Sequence, residues 1–181
     1  MTRNAMKVFG LAGWSGSGKT TLVVKLIPAL RAHGLAVSTV KHAHHGFEVD
    51  QPGKDSYEHR NAGATEVLVT SAERWALMGE LRGDPEPSME EIVARMSPVD
   101  LILVEGFKRE SHDKLEVFRA IRSRRPLCHK DPHIVAIASD DPRCQALAEV
   151  DLPCLNLDDA GGIADFIIAH CGLGPSARGV G

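Results

Sequence analysis

Apolar positions follow two rhythms along this chain. Near-unbroken apolar runs, KVFGLA (7–12), DLILVEG (100–106) and HIVAIAS (133–139), read as buried strands. Between the first two, GKTTLVVKLIPALRAHG (18–34) sets Leu22, Val23, Leu26, Ile27 and Leu30 on one stripe, which predicts a helix stopped by Gly34. AVSTVKH (36–42) and KLEVFRAI (114–121) read as further strands. KDSYEHRNAG (54–63) reads as a short helix and DAGGIADFIIAHC (159–171) as a closing one. TEVLVTS (65–71) and RWALMGEL (74–81) predict two strands joined by a tight turn at Ala72 and Glu73. SMEEIVARM (88–96) predicts a helix, with Ser88 as its N-cap and Glu91 three residues on.

Strands that alternate with helices predict an α/β fold, three layers (α/β/α) around a mostly parallel sheet with right-handed crossovers. The expectation is a single domain over residues 1–172 followed by a flexible tail, 173–181, rich in turn formers. Ligands of such sheets bind at the carboxyl ends of the strands. That directs attention to the segment after the first strand.

There the chain reads GWSGSGKTTL (13–22). Glycine costs backbone entropy and packs nothing, so a glycine loop between a strand and a helix needs a reason other than stability. The spacing G-x-x-x-x-G-K-T, in its strand–loop–helix context, is that of a phosphate-binding P-loop, and the fold expected is therefore that of a P-loop NTPase. Gly13 and Gly18 let the backbone turn where a side chain would strike phosphate. The amides of Ser15, Gly16, Ser17, Gly18, Lys19 and Thr20 point inward, with Thr21 on the first helical turn behind them. Lys19 supplies a point charge to the β- and γ-phosphates, and Thr20 offers a hydroxyl to Mg²⁺.

Two further segments fit that site. DLILVEG carries Glu105 at a strand tip facing the loop, where aspartate is more usual. Glu105 would either hold Mg²⁺ through a water or orient an attacking water, and otherwise is a solvated strand-end acid. Asp100 sits at the wrong end of the same strand. After IVAIAS comes Asp140, whose carboxylate could accept from guanine N1–H and N2–H₂ and would repel adenine N1, a difference worth ~1–3 kcal/mol by analogy with bidentate base readout. The plainer reading of Asp140, Asp141 and Pro142 is a turn.

Composition narrows the classes. The 181 residues carry a net charge of −3, so no basic excess points to nucleic acid or an anionic membrane. No stretch reads as a signal peptide or membrane span. The four cysteines, Cys128, Cys144, Cys154 and Cys171, are scattered without a C-x-x-C pair, which predicts reduced thiols in a cytoplasm.

The segment KHAHHGFEVDQPGKDSYEHRNAGA (41–64) is the most distinctive. A long, charged loop beside a phosphate site suits a switch or substrate contact. His42, His44 and His45 raise a metal reading, although adjacent His44 and His45 cannot easily serve one ion from an extended chain. Asp50 is a second candidate ligand of Mg²⁺ through water. Lys54, Asp55 and Arg60 read equally well as a helix start and solvated charges.

Together GWSGSGKTTL, TVKHAHHGFEVDQPGKDSYEHRNAGA, DLILVEGFK and AIASDDP resemble the molybdopterin-guanine dinucleotide biosynthesis adaptor family, MobB, from Val8 to about Asp140. The resemblance implies a homodimeric GTP-binding protein with weak GTPase activity and Mg²⁺ as cofactor. It implies a helper of the molybdenum cofactor guanylyltransferase that joins GMP to molybdopterin, with a molybdopterin-type ligand or the partner meeting the 41–56 loop. On this chain Gly13, Gly18, Lys19 and Thr20 would hold phosphates and Mg²⁺, and Glu105 would face the γ-phosphate. Two other classes remain open at this point. A small-molecule kinase could use Arg122, Arg124 and Arg125 as a lid and Asp50 or Glu105 as base. A metallochaperone GTPase would bind Ni²⁺ or Zn²⁺ through His44 and His45, although it lacks a C-x-x-C pair.

Overall fold

Chain direction, more than any single contact, organises the larger sheet of this protein. The computed structural model describes residues 6–43, 46–107, 110–122 and 125–174. In chain order the elements are β1 (Lys7–Ala12), α1 (Lys19–Ala32), β2 (Val37–Lys41), α2 (Asp55–Asn61), β3 (Glu66–Thr70), β4 (Trp75–Gly79), α3 (Met89–Arg95), β5 (Leu101–Glu105), β6 (Lys114–Phe118), β7 (Ile134–Ser139), β8 (Cys154–Asn156) and α4 (Ala160–Cys171). They fall into two compact units, the described residues of Met1–His42 with Ser97–Gly181, and those of Ala43–Met96.

In the first unit six strands pair in the order β2-β5-β1-β6-β7-β8, and every pair is parallel. The register sets Leu11 beside Glu105 and Lys41 beside Glu105, so the carboxyl tips of β1, β5 and β2 end together. β5 lies between β2 and β1 and is apolar on both faces, and Leu101 to Val104 are buried, as a strand flanked in a parallel sheet requires. On one face Phe9, Leu11, Leu103, Leu115 and Ala138 meet Leu22, Leu26 and Leu30 of α1 and Ile163 and Ile167 of α4, all buried. This is the stripe the 3.6-residue period predicts for α1.

Alternation along β6 turns Lys114, Glu116 and Phe118 to the opposite face. Phe118 and Ile137 pack there with Leu147. Lys114 and Glu116 are completely buried, and each has partners. Lys114 Nζ lies 3.2 Å from Asp131 Oδ2 and donates to the Glu110 carbonyl. Glu116 accepts from the amides of Leu127 at 2.7 Å and Cys128 at 3.0 Å. Burial raises the pKa of Glu116, and those two amides oppose the rise.

The second unit contains the predicted hairpin, β3 and β4, antiparallel from Glu66 opposite Gly79 to Thr70 opposite Trp75. Ser71 closes its turn, accepting at Oγ from the amides of Glu73 and Arg74, both at 3.2 Å. Arg60 of α2 binds Asp50 (3.1 Å), Glu48 (2.9 Å) and Glu80 (3.2 Å), and its guanidinium lies 5.0 Å from the Tyr57 ring centroid. α3 begins with the expected capping box, Ser88 and Glu91 each bonding the other's backbone amide.

Two boundaries differ from the sequence expectation. KLEVFRAI was expected to stay extended to Ile121, but β6 ends at Phe118 and a 3₁₀ turn follows at Ala120–Arg122. The turn is fixed by the Ala120 amide, which donates to Asp140 Oδ1 at 3.1 Å. β8 was not anticipated; three residues at a sheet edge are too few to show a period. Most of the tail lies outside the described residues.

Candidate phosphate-binding site

The loop from Gly13 to Gly18 leaves β1 at the strand tips and enters α1. Gly13 has φ 143°, and a Cβ on it would lie 2.6 Å from the Val117 carbonyl of β6 and 2.7 Å from Ser17 Oγ. No other residue fits there, so Gly13 is a packing requirement as well as a turn. The Ser17 amide donates to the Trp14 carbonyl at 3.1 Å and folds the loop back on itself. Ser17 is 3% exposed, and its hydroxyl is buried without a hydrogen-bond partner. Ser15 and Gly16 lie exposed on the outer part of the loop. Trp14 leans to one side, its indole N–H donating to the Arg125 carbonyl at 3.2 Å.

α1 starts from Gly18, which has no side chain to cap it, whereas Ser88 caps α3 and Asp159 caps α4. No side chain caps the first turn of α1, and the helix dipole favours an anion there. Lys19 bends back over the loop, with Nζ 2.9 Å from the Gly13 carbonyl and 3.0 Å from that of Trp14. Thr20 Oγ1 donates to Glu105 Oε1 at 2.8 Å. Glu105 is 15% exposed in its side chain, with Lys41 Nζ 3.9 Å from the same oxygen. Gly106 lets β5 stop at this point; a Cβ would lie 2.9 Å from that of His42, and its φ is 100°.

Thr20 and Glu105 are thus in contact at the loop that carries Lys19. A hydroxyl and a carboxylate in contact suit Mg²⁺, which takes one or two protein oxygens and fills its octahedron with water and phosphate. Among the described residues no cluster of three or more His, Cys, Asp or Glu could hold a metal by protein ligands alone. His44 and His45 lie outside the described residues, as does Arg124. Asp50 belongs to the second unit, where both its carboxylate oxygens accept from Arg60.

Asp140 follows β7 and is already engaged. Oδ2 accepts from Arg119 Nη1 at 3.2 Å and Oδ1 from the Ala120 amide. Burial acts to raise its pKa, but the Ala120 amide and Arg119 outweigh that, and the net pKa lies below the usual aspartate value. Arg119 Nε donates to the Ser17 carbonyl at 3.2 Å, which ties Asp140 to the phosphate loop. Neither Arg119 nor the approach of Lys41 to Glu105 was recognised from sequence. The available signal was an arginine directly after a buried strand, DKLEVFR, whose position beside β1 no local pattern reveals.

A parallel sheet whose first strand feeds a glycine loop and an uncapped helix, with an acid on the adjoining strand tip, defines a P-loop NTPase-like fold. Comparison narrows it: residues 8–140 match the family model described as MobB, molybdopterin guanine dinucleotide synthesis protein B, and the chain belongs to that family. It is 44% identical over 169 residues to the molybdopterin-guanine dinucleotide biosynthesis adapter protein of Escherichia coli (strain K12), covering 92% of this chain and 94% of that one. The protein of the same name from Haemophilus influenzae is 40% identical, covering 91% and 89%. A crystal structure titled molybdopterin-guanine biosynthesis protein B superimposes with a TM-score of 0.68 at 25% identity, over 90% of this chain and 99% of that one. The crystal structure of Bacillus subtilis MobB gives a TM-score of 0.71 at 22% identity over 92% and 98%, a likeness of fold.

Proposed function

We propose that this protein is an accessory factor in molybdopterin-guanine dinucleotide biosynthesis that binds GTP with Mg²⁺ and hydrolyses it slowly. The observation that carries the nucleotide reading is the contact of Thr20 with Glu105 at 2.8 Å on the same loop that carries Lys19. The names of the adapter relatives support the pathway, and the guanine in those names supports GTP over ATP.

The division of labour follows from the chemistry of the side chains. Loop amides and Lys19 hold the phosphates. Thr20 and Glu105 would hold Mg²⁺, which when bound neutralises charge on the β- and γ-oxygens. Lys41 Nζ, 3.9 Å from Glu105 Oε1, sets a positive charge beside that carboxylate. The partner we infer is the molybdenum cofactor guanylyltransferase, with a molybdopterin-type ligand, in the cytoplasm. Among the described residues all four cysteines are free thiols, and no helix is long and apolar enough to cross a membrane. We further infer a homodimer, because Leu68, Trp75 and Leu77 of the hairpin are 58%, 63% and 47% exposed, more apolar surface than a solvated hairpin needs.

Titration calorimetry with GTP and Mg²⁺ tests the site. Lys19→Ala removes a charge-assisted contact worth ~1.5–3 kcal/mol, so GTP affinity should drop on the order of tenfold to a hundredfold. Unchanged affinity would refute the site. Co-purification of a guanylyltransferase in the presence of GTP tests the role.

A further inference from the structure

Beside the loop lies a shallow, open groove, with about 20 Å³ of enclosed space, lined by Gly18, Thr21, Leu22, Lys25, Arg119 and Asp158 with Leu157. It is far below the ~300–1,000 Å³ of sites that enclose a drug-sized ligand, so it is a surface along which a bound chain of phosphates can run and not an enclosing pocket. Residues 18, 21, 22 and 25 share one face of α1 by helical spacing, whereas Thr20 points elsewhere, to Glu105. A polyphosphate that starts at Lys19 and Thr20 and continues into the groove must pass the Arg119 guanidinium. Arg119 is held from two sides, by the Ser17 carbonyl on Nε and by Asp140 on Nη1. Its remaining nitrogen, Nη2, lies toward Gly18, 3.4 Å from where a Cβ on that glycine would stand.

We propose that Arg119 is a nucleotide-binding residue that takes the phosphate nearest the nucleoside, and that Asp140 is the positioning residue for Arg119 and not a reader of the base. The inference rests on the nucleotide reading above and refines it. Both Asp140 oxygens already accept hydrogen bonds, from Arg119 and from the Ala120 amide, which fixes the carboxylate at the foot of the arginine. A planar guanidinium fixed at two of its three nitrogens presents the third at low entropic cost, which an ammonium on a flexible stem cannot do. Lys25 adds a second positive charge to the groove. Asp158, whose backbone amide donates to Asn156 Oδ1 at 3.0 Å, is the acid on its far wall.

The test measures binding of GTP, ATP, GDP and inorganic pyrophosphate to the full chain by calorimetry, with unliganded melting curves for each variant. Arg119→Gln keeps a donor for the Ser17 carbonyl and removes the charge. It should weaken GTP, ATP and GDP by roughly tenfold or more, the loss of one charge-assisted contact, and leave pyrophosphate unchanged. Arg119→Lys should recover part of that loss. Asp140→Asn should weaken GTP and ATP by one common factor and add nothing in the Arg119→Gln background. Loss of pyrophosphate binding in parallel with GTP would make Arg119 a mere clamp on the loop and overturn the proposal. A changed GTP:ATP ratio in Asp140→Asn would overturn it too, by making Asp140 the base reader. Lys19→Ala separates the two levels. If Lys19→Ala loses GTP while Arg119→Gln binds normally, only this inference fails; if the native chain binds no nucleotide, both fall.

Discussion

His112 shows how one side chain on a sheet face sets a pH limit. Neither ring nitrogen has a hydrogen-bond partner, and a Cβ on Gly10 would stand 2.5 Å from Nε2, so the imidazole takes the space a side chain at that position of β1 would need. Burial first, and the positive charge of Lys114 second, push its pKa down to about 4 from 6.5; His133 adds to that, and Asp131 and Asp113 oppose it. The unfolded chain therefore binds a proton that the folded chain refuses between those values. Stability conferred by the neutral ring is complete above pH 6.5 and is lost as pH falls toward 4. Denaturant titrations across that interval should show a decline of roughly 1–2 kcal/mol after allowance for solvent screening, and His112→Gln should flatten it. An unaltered slope in the variant would assign the pH dependence to other groups. At the same scale the loop was readable in advance because its ten residues are contiguous. Arg119 was not, because its contacts to Ser17 and Asp140 lie 102 and 21 positions away in the chain.

Among the elements, legibility followed length and period. α1 declared itself through five apolar residues on one stripe, and β5 through an unbroken run, since a strand covered on both faces has no polar side to show. β8, three residues long, had neither cue. The end of β6 depended on a hydrogen bond from Ala120 to Asp140, which competes with continued pairing and carries no local signature. α3 was marked by its capping spacing, Ser88 followed three residues on by Glu91. The Glu91 carboxylate bonds the Ser88 amide at 2.8 Å, and those bonds lower its pKa. Ser88→Ala should cost about 0.5–2 kcal/mol of stability and fray the start of that seven-residue helix, with Thr at the same position restoring most of it. Equal melting temperatures for native and Ala forms would show that the box contributes nothing measurable.

Across the molecule the two compact units carry different chemistry. The first holds the parallel sheet, its core and the glycine loop from Gly13 to Gly18. The second holds the antiparallel hairpin with its exposed Leu68, Trp75 and Leu77. The proposed homodimer is tested on that hairpin: Trp75→Glu with Leu77→Glu should give a monomer by light scattering while helical circular dichroism and GTP binding persist. A dimer of unchanged strength would remove the hairpin from the contact. Topology was recoverable from sequence only as a class, because alternating strands and helices imply parallel pairing but do not rank β2, β5, β1, β6, β7 and β8 side by side.

Arg60 leaves one further consequence. It pairs with Glu48, Asp50 and Glu80 at once. Were it lost by mutation, three negative groups would crowd one spot without the guanidinium that now joins them, and their mutual repulsion would loosen the segment preceding α2. Even lysine would be a poor heir, since a compact ammonium lacks the flat, many-pronged shape needed to serve three neighbours at once.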